Sequence, residues 1–194
     1  MYSLFIDTLS SPAFICLFDN ERDIKDNFSW QGKHAEFDTL IESINTLLAK
    51  NSLEYSDLAG IVCIIWPGGF TGIRVTTLVA NTLGYSFWIP LYPATVNDFF
   101  REQESPTPWI LPLTKTEVLL WEDPNQLSPT IVKSDALNIP KAYSSNQTLS
   151  PLGWNISYIQ ANDYKLFLQN FVFPEKVSLL QPKYARDPNI LIKK

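Results

Sequence analysis

Three of the chain's seven glycines, Gly68, Gly69 and Gly72, crowd into one junction, where the apolar run 60–66 (GIVCIIW) passes through Pro67 into a helix-like pattern. A strand that enters a helix through glycines presents the helix's first free N–H groups at the edge of a sheet, and those groups attract anions. The hydroxyl of Thr71 stands beside them, and the opening run 4–8 (LFIDT) ends on Asp7 and Thr8. An acid at a strand end plus a glycine loop is the equipment of phosphoryl transfer, in which a carboxylate holds magnesium and backbone amides hold phosphate. The usual phosphate motifs do not fit. G-x-x-x-x-G-K-[ST] needs a lysine, and here Arg74 follows instead; G-x-G-x-x-G fails because Gly68 and Gly69 are adjacent. Two readings stay open: a phosphate loop, or a tight turn that lets the helix pack closely.

Other chemistry has less support. The single histidine, His34, has no marked nucleophile beside it, and no G-x-S-x-G elbow occurs. Cys16 and Cys63 each sit in a strand-like apolar run, as small core residues of a reducing compartment do. Two cysteines and one histidine do not make a zinc set, so no metal and no cofactor is expected. The net charge of −5, with the cations scattered, argues against direct nucleic-acid binding by this chain alone. No apolar run approaches the roughly 18 residues of a membrane span, and the start lacks a basic, apolar leader. A cytoplasmic protein is the expectation.

The elements that must position these residues are clearest in the first half. Strands are expected at 3–7, 13–19 and 21–30, the last more polar and suited to a sheet edge. Residues 33–50 form a helix whose Phe37, Leu40, Ile41, Ile44, Leu47 and Leu48 recur at three- and four-residue steps. The run 60–66 is apolar throughout, as in a strand covered on both faces. A second helix, 71–83, is expected to stop at Gly84, with a further strand at 87–91. Along that helix Gly72, Thr76 and Ala80 form a stripe of small side chains next to an apolar stripe of Val75, Val79 and Leu83. The order β-β-β-α-β-α-β predicts an α/β fold. From about residue 105 prolines multiply and periodicity fades. Short strands at 109–113 and 117–121 and a helix at 163–170 suggest a smaller, irregular second lobe. The expected division is 1–104 and 105–194.

P-G-G-F-T-G-I-R, residues 67–74, followed by an amphipathic helix, resembles the G-P-G-S-F-T-G-[LIV]-R signature of the TsaB (YeaZ) family. The opening 4–8 is similar to that family's L-x-I-D-T strand, and His34 matches a histidine that heads its first helix. Residues 182–186 (PKYAR) are similar to its terminal P-x-Y-x-R. The likeness is sharp over residues 1–90 and returns at 182–186. It implies an actin-like (ribonuclease-H-like) fold with a mixed five-stranded sheet in the first lobe and a reduced second lobe.

The resemblance also implies a non-catalytic subunit in the formation of threonylcarbamoyladenosine on transfer RNA. Its partners would be a TsaD-like transferase and a TsaE-like ATPase, with tRNA met only through the complex. Contacts in the family use the two N-terminal helices, which also form homodimers. Carried to this chain, the partner-binding candidates are His34, Phe37, Leu40, Ile41 and Ile44 on the first helix, with Gly72, Ile73, Arg74, Thr76 and Ala80 on the second. Asp7, Thr8, Gly68, Gly69 and Thr71 would be a vestigial phosphate loop. Trp66 stands where the family has its first glycine, and Gly69 where it has serine. Leu9, Ser10 and Ser11 follow Asp7 where active members of the wider fold have a glycine hairpin. Thr76, Leu78 and Thr82 occupy places where relatives have glycine or alanine, which gives the second helix a bulkier face. The rival reading is an ATP-binding phosphotransferase or ATPase of the same fold.

Overall fold

A computed structural model describes residues 1–31, 36–67, 70–101, 108–123, 125–137, 142–144 and 156–185. The first half contains β1 (Tyr2–Asp7), β2 (Ala13–Phe18), β3 (Ile24–Trp30), α1 (Glu36–Lys50), a 3-10 turn (Tyr55–Asp57), β4 (Leu58–Ile64), α2 (Phe70–Phe87) and β5 (Leu91–Ala94). The second half contains α3 (Val96–Arg101), β6 (Trp109–Pro112), β7 (Glu117–Trp121), β8 (Thr130–Lys133), β9 (Ala142–Ser144), β10 (Ile156–Tyr158) and α4 (Ala161–Asn170).

The strands form two five-stranded sheets, ordered β3-β2-β1-β4-β5 and β10-β9-β6-β7-β8. In the first, β1, β2 and β3 make an antiparallel meander, and β4 and β5 run parallel to β1. The second repeats this plan: β6, β7 and β8 meander, and β9 and β10 run parallel to β6. The chain is an α/β protein with a mixed sheet in each half. The second half repeats the strand order more fully than its composition suggests. Its strands are three to five residues long.

Strand parity explains where the core sits, since alternate side chains leave opposite faces of a sheet. Leu4, Ile6, Ile15, Leu17, Ile61 and Cys63 face α1 and α2, joining Leu40, Ile44, Leu47, Val79, Ala80 and Leu83. Phe5, Phe14, Cys16, Phe18, Val62 and Ile64 leave the other face. There they meet Phe99 and Phe100 of α3, Tyr164 and Phe167 of α4, and Trp109 and Trp121 of the second sheet. The first sheet is therefore covered on both sides, which is why its central strands are almost wholly apolar. The two cysteines are free, buried and on opposite faces. Among the described residues, no helix is long and apolar enough to cross a membrane.

Helix α2 continues past the expected stop at Gly84 to Phe87. Gly84 lies inside the helix, where a Cβ would come within 2.9 Å of Leu91 Cδ2. Its carbonyl accepts the amide of Ile89 at 3.1 Å, closing the helix with Trp88 at φ 58°. That is the six-to-one bond of a Schellman cap, with tryptophan where glycine is usual. The expected strand at 87–91 accordingly begins only at Leu91.

Two devices tie the halves together. Arg22, in the β2–β3 turn, donates to the carbonyls of Leu168 (3.1 Å) and Phe171 at the end of α4 and lies 4.7 Å over the Phe173 ring. After α4 the chain returns across the first sheet. Val177 bridges to Leu91, and Asn81 of α2 both donates to the Leu180 carbonyl (3.0 Å) and accepts its amide (2.7 Å).

Candidate functional site

The strand-end acid comes first, because a phosphate or metal would have to approach it. Asp7 ends β1 and is 2% exposed. Its Oδ1 accepts the backbone amides of Leu9 (2.9 Å) and Ser10 (3.0 Å). Its Oδ2 accepts the hydroxyls of Tyr164 (2.9 Å) and Ser10. Four donors from the chain itself thus saturate one carboxylate, and among the described residues no Lys or Arg bonds to it. Burial pushes the Asp7 carboxyl above the usual carboxylate range, and the hydrogen bonds from Ser10, Tyr164 and Leu9 pull back only part of that shift.

Tyr164 is fixed by packing. Its ring stacks on Phe14 at 4.0 Å with 7° between planes and also lies 5.8 Å from Phe5 and 5.1 Å from Phe99. Burial, with the Asp7 charge beside it, pushes the phenol well above its ordinary value, so it stays a donor. The turn after β1 is equally occupied. Thr8 Oγ1 donates to the Gly72 carbonyl at 3.3 Å and shares a hydrogen bond with Thr76 Oγ1.

Gly72 answers the question its junction raises. A Cβ there would meet Thr8 O at 3.3 Å and Leu9 Cδ2 at 3.4 Å. The close approach at Gly72 is between the start of α2 and the chain's own β1–β2 turn, which leaves room for little more than a methyl group. Gly68 and Gly69 lie outside the described residues. Thr71 is exposed at the head of α2. Among the described residues, no group of three or more His, Cys, Asp or Glu could hold a metal ion.

The helix candidates divide sharply. Leu40, Ile44, Ile73, Thr76 and Ala80 are each fully buried, and Gly72 is buried with them. Leu40, Ile44 and Ala80 belong to the cluster under the first sheet. Ile41 is half-buried against that cluster, and Arg74 is exposed. Phe37 lies in α1 with its side chain outside the described residues, as is the whole of His34. The small stripe of α2 therefore turns inward.

The outward face of α2 runs through Thr71, Arg74, Leu78, Thr82 and Tyr85, at the three- and four-residue steps of one helical side. Leu78 is 58% exposed and Tyr85 82% exposed. At the end of the helix Phe87 (42%) and, just beyond it, Trp88 (88%) are exposed as well. Sequence reasoning marked Leu78 and Thr82 as bulky departures but missed the end of the helix. The available signal was the aromatic cluster Tyr85, Phe87 and Trp88, which the last turn of α2 and its cap carry.

The family model "TsaD: tRNA N6-adenosine threonylcarbamoyltransferase" matches residues 32–99, the segment holding α1 through most of α3. A Mycoplasma genitalium protein described as uncharacterized protein MG208 is 25% identical over 198 residues, covering 96% of both chains. The solved YeaZ from Pseudomonas aeruginosa superposes with a TM-score of 0.60 at 14% identity, over 87% of this chain and 89% of its own. A second structure, described as an uncharacterized protein with similarity to peptidase YEAZ from Pseudomonas aeruginosa, gives 0.64 at 16% identity, over 95% and 99%. The chain shares its fold with both, as the sequence resemblance implies.

Proposed function

We propose, from the YeaZ-type fold and the TsaD-like segment at 32–99, that this chain is a non-catalytic partner of a TsaD-like transferase that forms threonylcarbamoyladenosine on tRNA. The observation that carries this reading is the state of Asp7. A carboxylate serving phosphoryl transfer keeps lone pairs for metal or water and leaves nearby amides for phosphate. Here Leu9, Ser10 and Tyr164 take those lone pairs, and the same amides are spent on the acid. Thr8 and Gly72 close the approach from the side of α2.

The outer face of α1 and α2 is then the docking surface. It comprises Ile41 and Arg74 of the original candidates, together with Leu78, while the buried candidates act by holding the helices in place. Leu78 presents more than half of its surface to solvent at the middle of that face. The tie to a TsaE-like ATPase and to tRNA runs through the transferase. A homodimer would use the same face and compete with the heterodimer.

The test is reconstitution with the TsaD-like transferase of the same organism. The two chains co-elute, and Leu78→Asp, which leaves the core untouched, weakens pairing by roughly 30-fold, the scale of a central interface residue. Tight binding of magnesium-ATP by this chain alone, lost in Asp7→Ala, would instead favour the phosphotransferase reading.

A further inference from the structure

The C-terminal end of α2 exposes more aromatic surface than folding explains. Trp88 holds φ 58°, a left-handed conformation usually left to glycine, and the residue is 88% exposed. The backbone is strained and the side chain buries almost nothing, so the fold gains little from tryptophan at this position. One turn earlier Tyr85 is 82% exposed, with its ring 6.5 Å from that of Trp88 and 29° between planes. Phe87 stacks on Tyr55 at 5.0 Å, and these two rings wall a cleft of about 290 Å³ floored by Leu48, Ala49 and Leu53. Tyr55 is fixed there by its hydrogen bond to Asn45 Oδ1 at 2.6 Å.

The charged residue that lines this cleft is an acid. Glu54 lines it, Asp57 is exposed three residues on, and no Lys or Arg is among its lining residues. A second copy would set these acids against their own counterparts on a chain that already carries a net charge of −5. Tryptophan and tyrosine are the residues that most often anchor interfaces when set beside a pocket, and a polar rim around them selects the partner by charge.

We infer that Trp88, Tyr85 and the Phe87–Tyr55 cleft anchor a protein partner that inserts an apolar side chain flanked by lysine or arginine, and that this partner is the transferase. The inference rests on the proposed function and names where the binding energy concentrates and which charge the partner carries.

The experiment measures the affinity of the full-length chain for the transferase of the same organism at two salt concentrations. Trp88→Gly relieves the strained φ, so its thermal midpoint rises or holds while affinity falls by at least about tenfold. The isosteric pair Glu54→Gln and Asp57→Asn slows association at low salt and flattens the salt dependence. If Trp88→Gly binds within about twofold of wild type while Leu78→Asp still weakens pairing, this inference is overturned and the proposed function stands. If the wild-type chain binds no transferase, both fall. A wild-type dimer that Trp88→Gly dissociates would assign the surface to a second copy and overturn the choice of partner.

Discussion

Tyr164→Phe isolates the bond that closes the strand-end site. The substitution keeps the ring, and with it the 4.0 Å stack on Phe14, and removes only the hydroxyl that donates to Asp7 Oδ2. A hydrogen bond to a charged group contributes about 1.5–3 kcal/mol, against about 1 kcal/mol for a neutral one. With Asp7 ionised, the loss should be about 2 kcal/mol. In a chain of this length that lowers the melting midpoint by roughly 4–8 °C. In an Asp7→Asn background the partner is neutral, so the same change should cost about 1 kcal/mol, leaving a coupling of about 1 kcal/mol in the double-mutant cycle. The pH dependence has a definite sign. Asp7's folded pKa is raised by burial, so its stability contribution is complete below the ordinary carboxylate range and is lost as pH rises through the folded value. Wild type therefore loses stability relative to Asp7→Asn as pH is raised from about 3 towards neutrality. Tyr164→Phe moves the loss to higher pH and deepens it. Chemical denaturation of the four variants across that range measures all of this. Equal costs of Tyr164→Phe in both backgrounds, or a cost under about 0.5 kcal/mol with Asp7 present, would refute the reasoning.

Gly72→Val, which brings branched carbons against Thr8 O and Leu9, should cost about 1–3 kcal/mol as overpacking, whereas Gly72→Ala should be near neutral because helix propensity offsets a contact of 3.3 Å. Denaturant midpoints decide it, and an unperturbed Gly72→Val would contradict the inward placement of this stripe. Arg22→Ala removes two carbonyl bonds and a ring contact at the end of α4, a loss of about 2–4 kcal/mol, and should speed amide exchange in Ala161–Asn170 before the first sheet loosens.

The first half of the fold was legible because β1, β2 and β4 are apolar and buried, and α1 repeats its apolar residues with helical period. The rest was hidden for separate physical reasons. β8 has mostly exposed side chains, and β9 and β10 are three residues long, too short for any period to register. α3 is six residues long, too short for a helical period to register, although its start carries a capping box in which the Asp98 amide donates to Thr95 Oγ1 (3.1 Å) and the Thr95 amide to Asp98 Oδ2 (2.8 Å). Gly84 looked like a stop because glycine often caps helices, whereas here it sits against the Leu91 side chain inside the helix.

The candidate site shows the same limit. Asp7 could be marked as a strand-end acid from sequence alone, but Tyr164, which saturates it, lies 157 positions away. The Gly72–Thr76–Ala80 period was legible as a stripe. Periodicity identifies one side of a helix without saying what covers it, and here the β1–β2 turn covers its start. Leu78 and Trp88 stand out only once burial is known.

The most direct test of a filled-in acid and an outward docking face is a calorimetric titration of the purified chain with the TsaD-like transferase of its own organism. A one-to-one complex that Leu78→Asp disrupts, with its circular dichroism unchanged, is the expected result. No heat of binding from the folded wild-type chain would contradict the account.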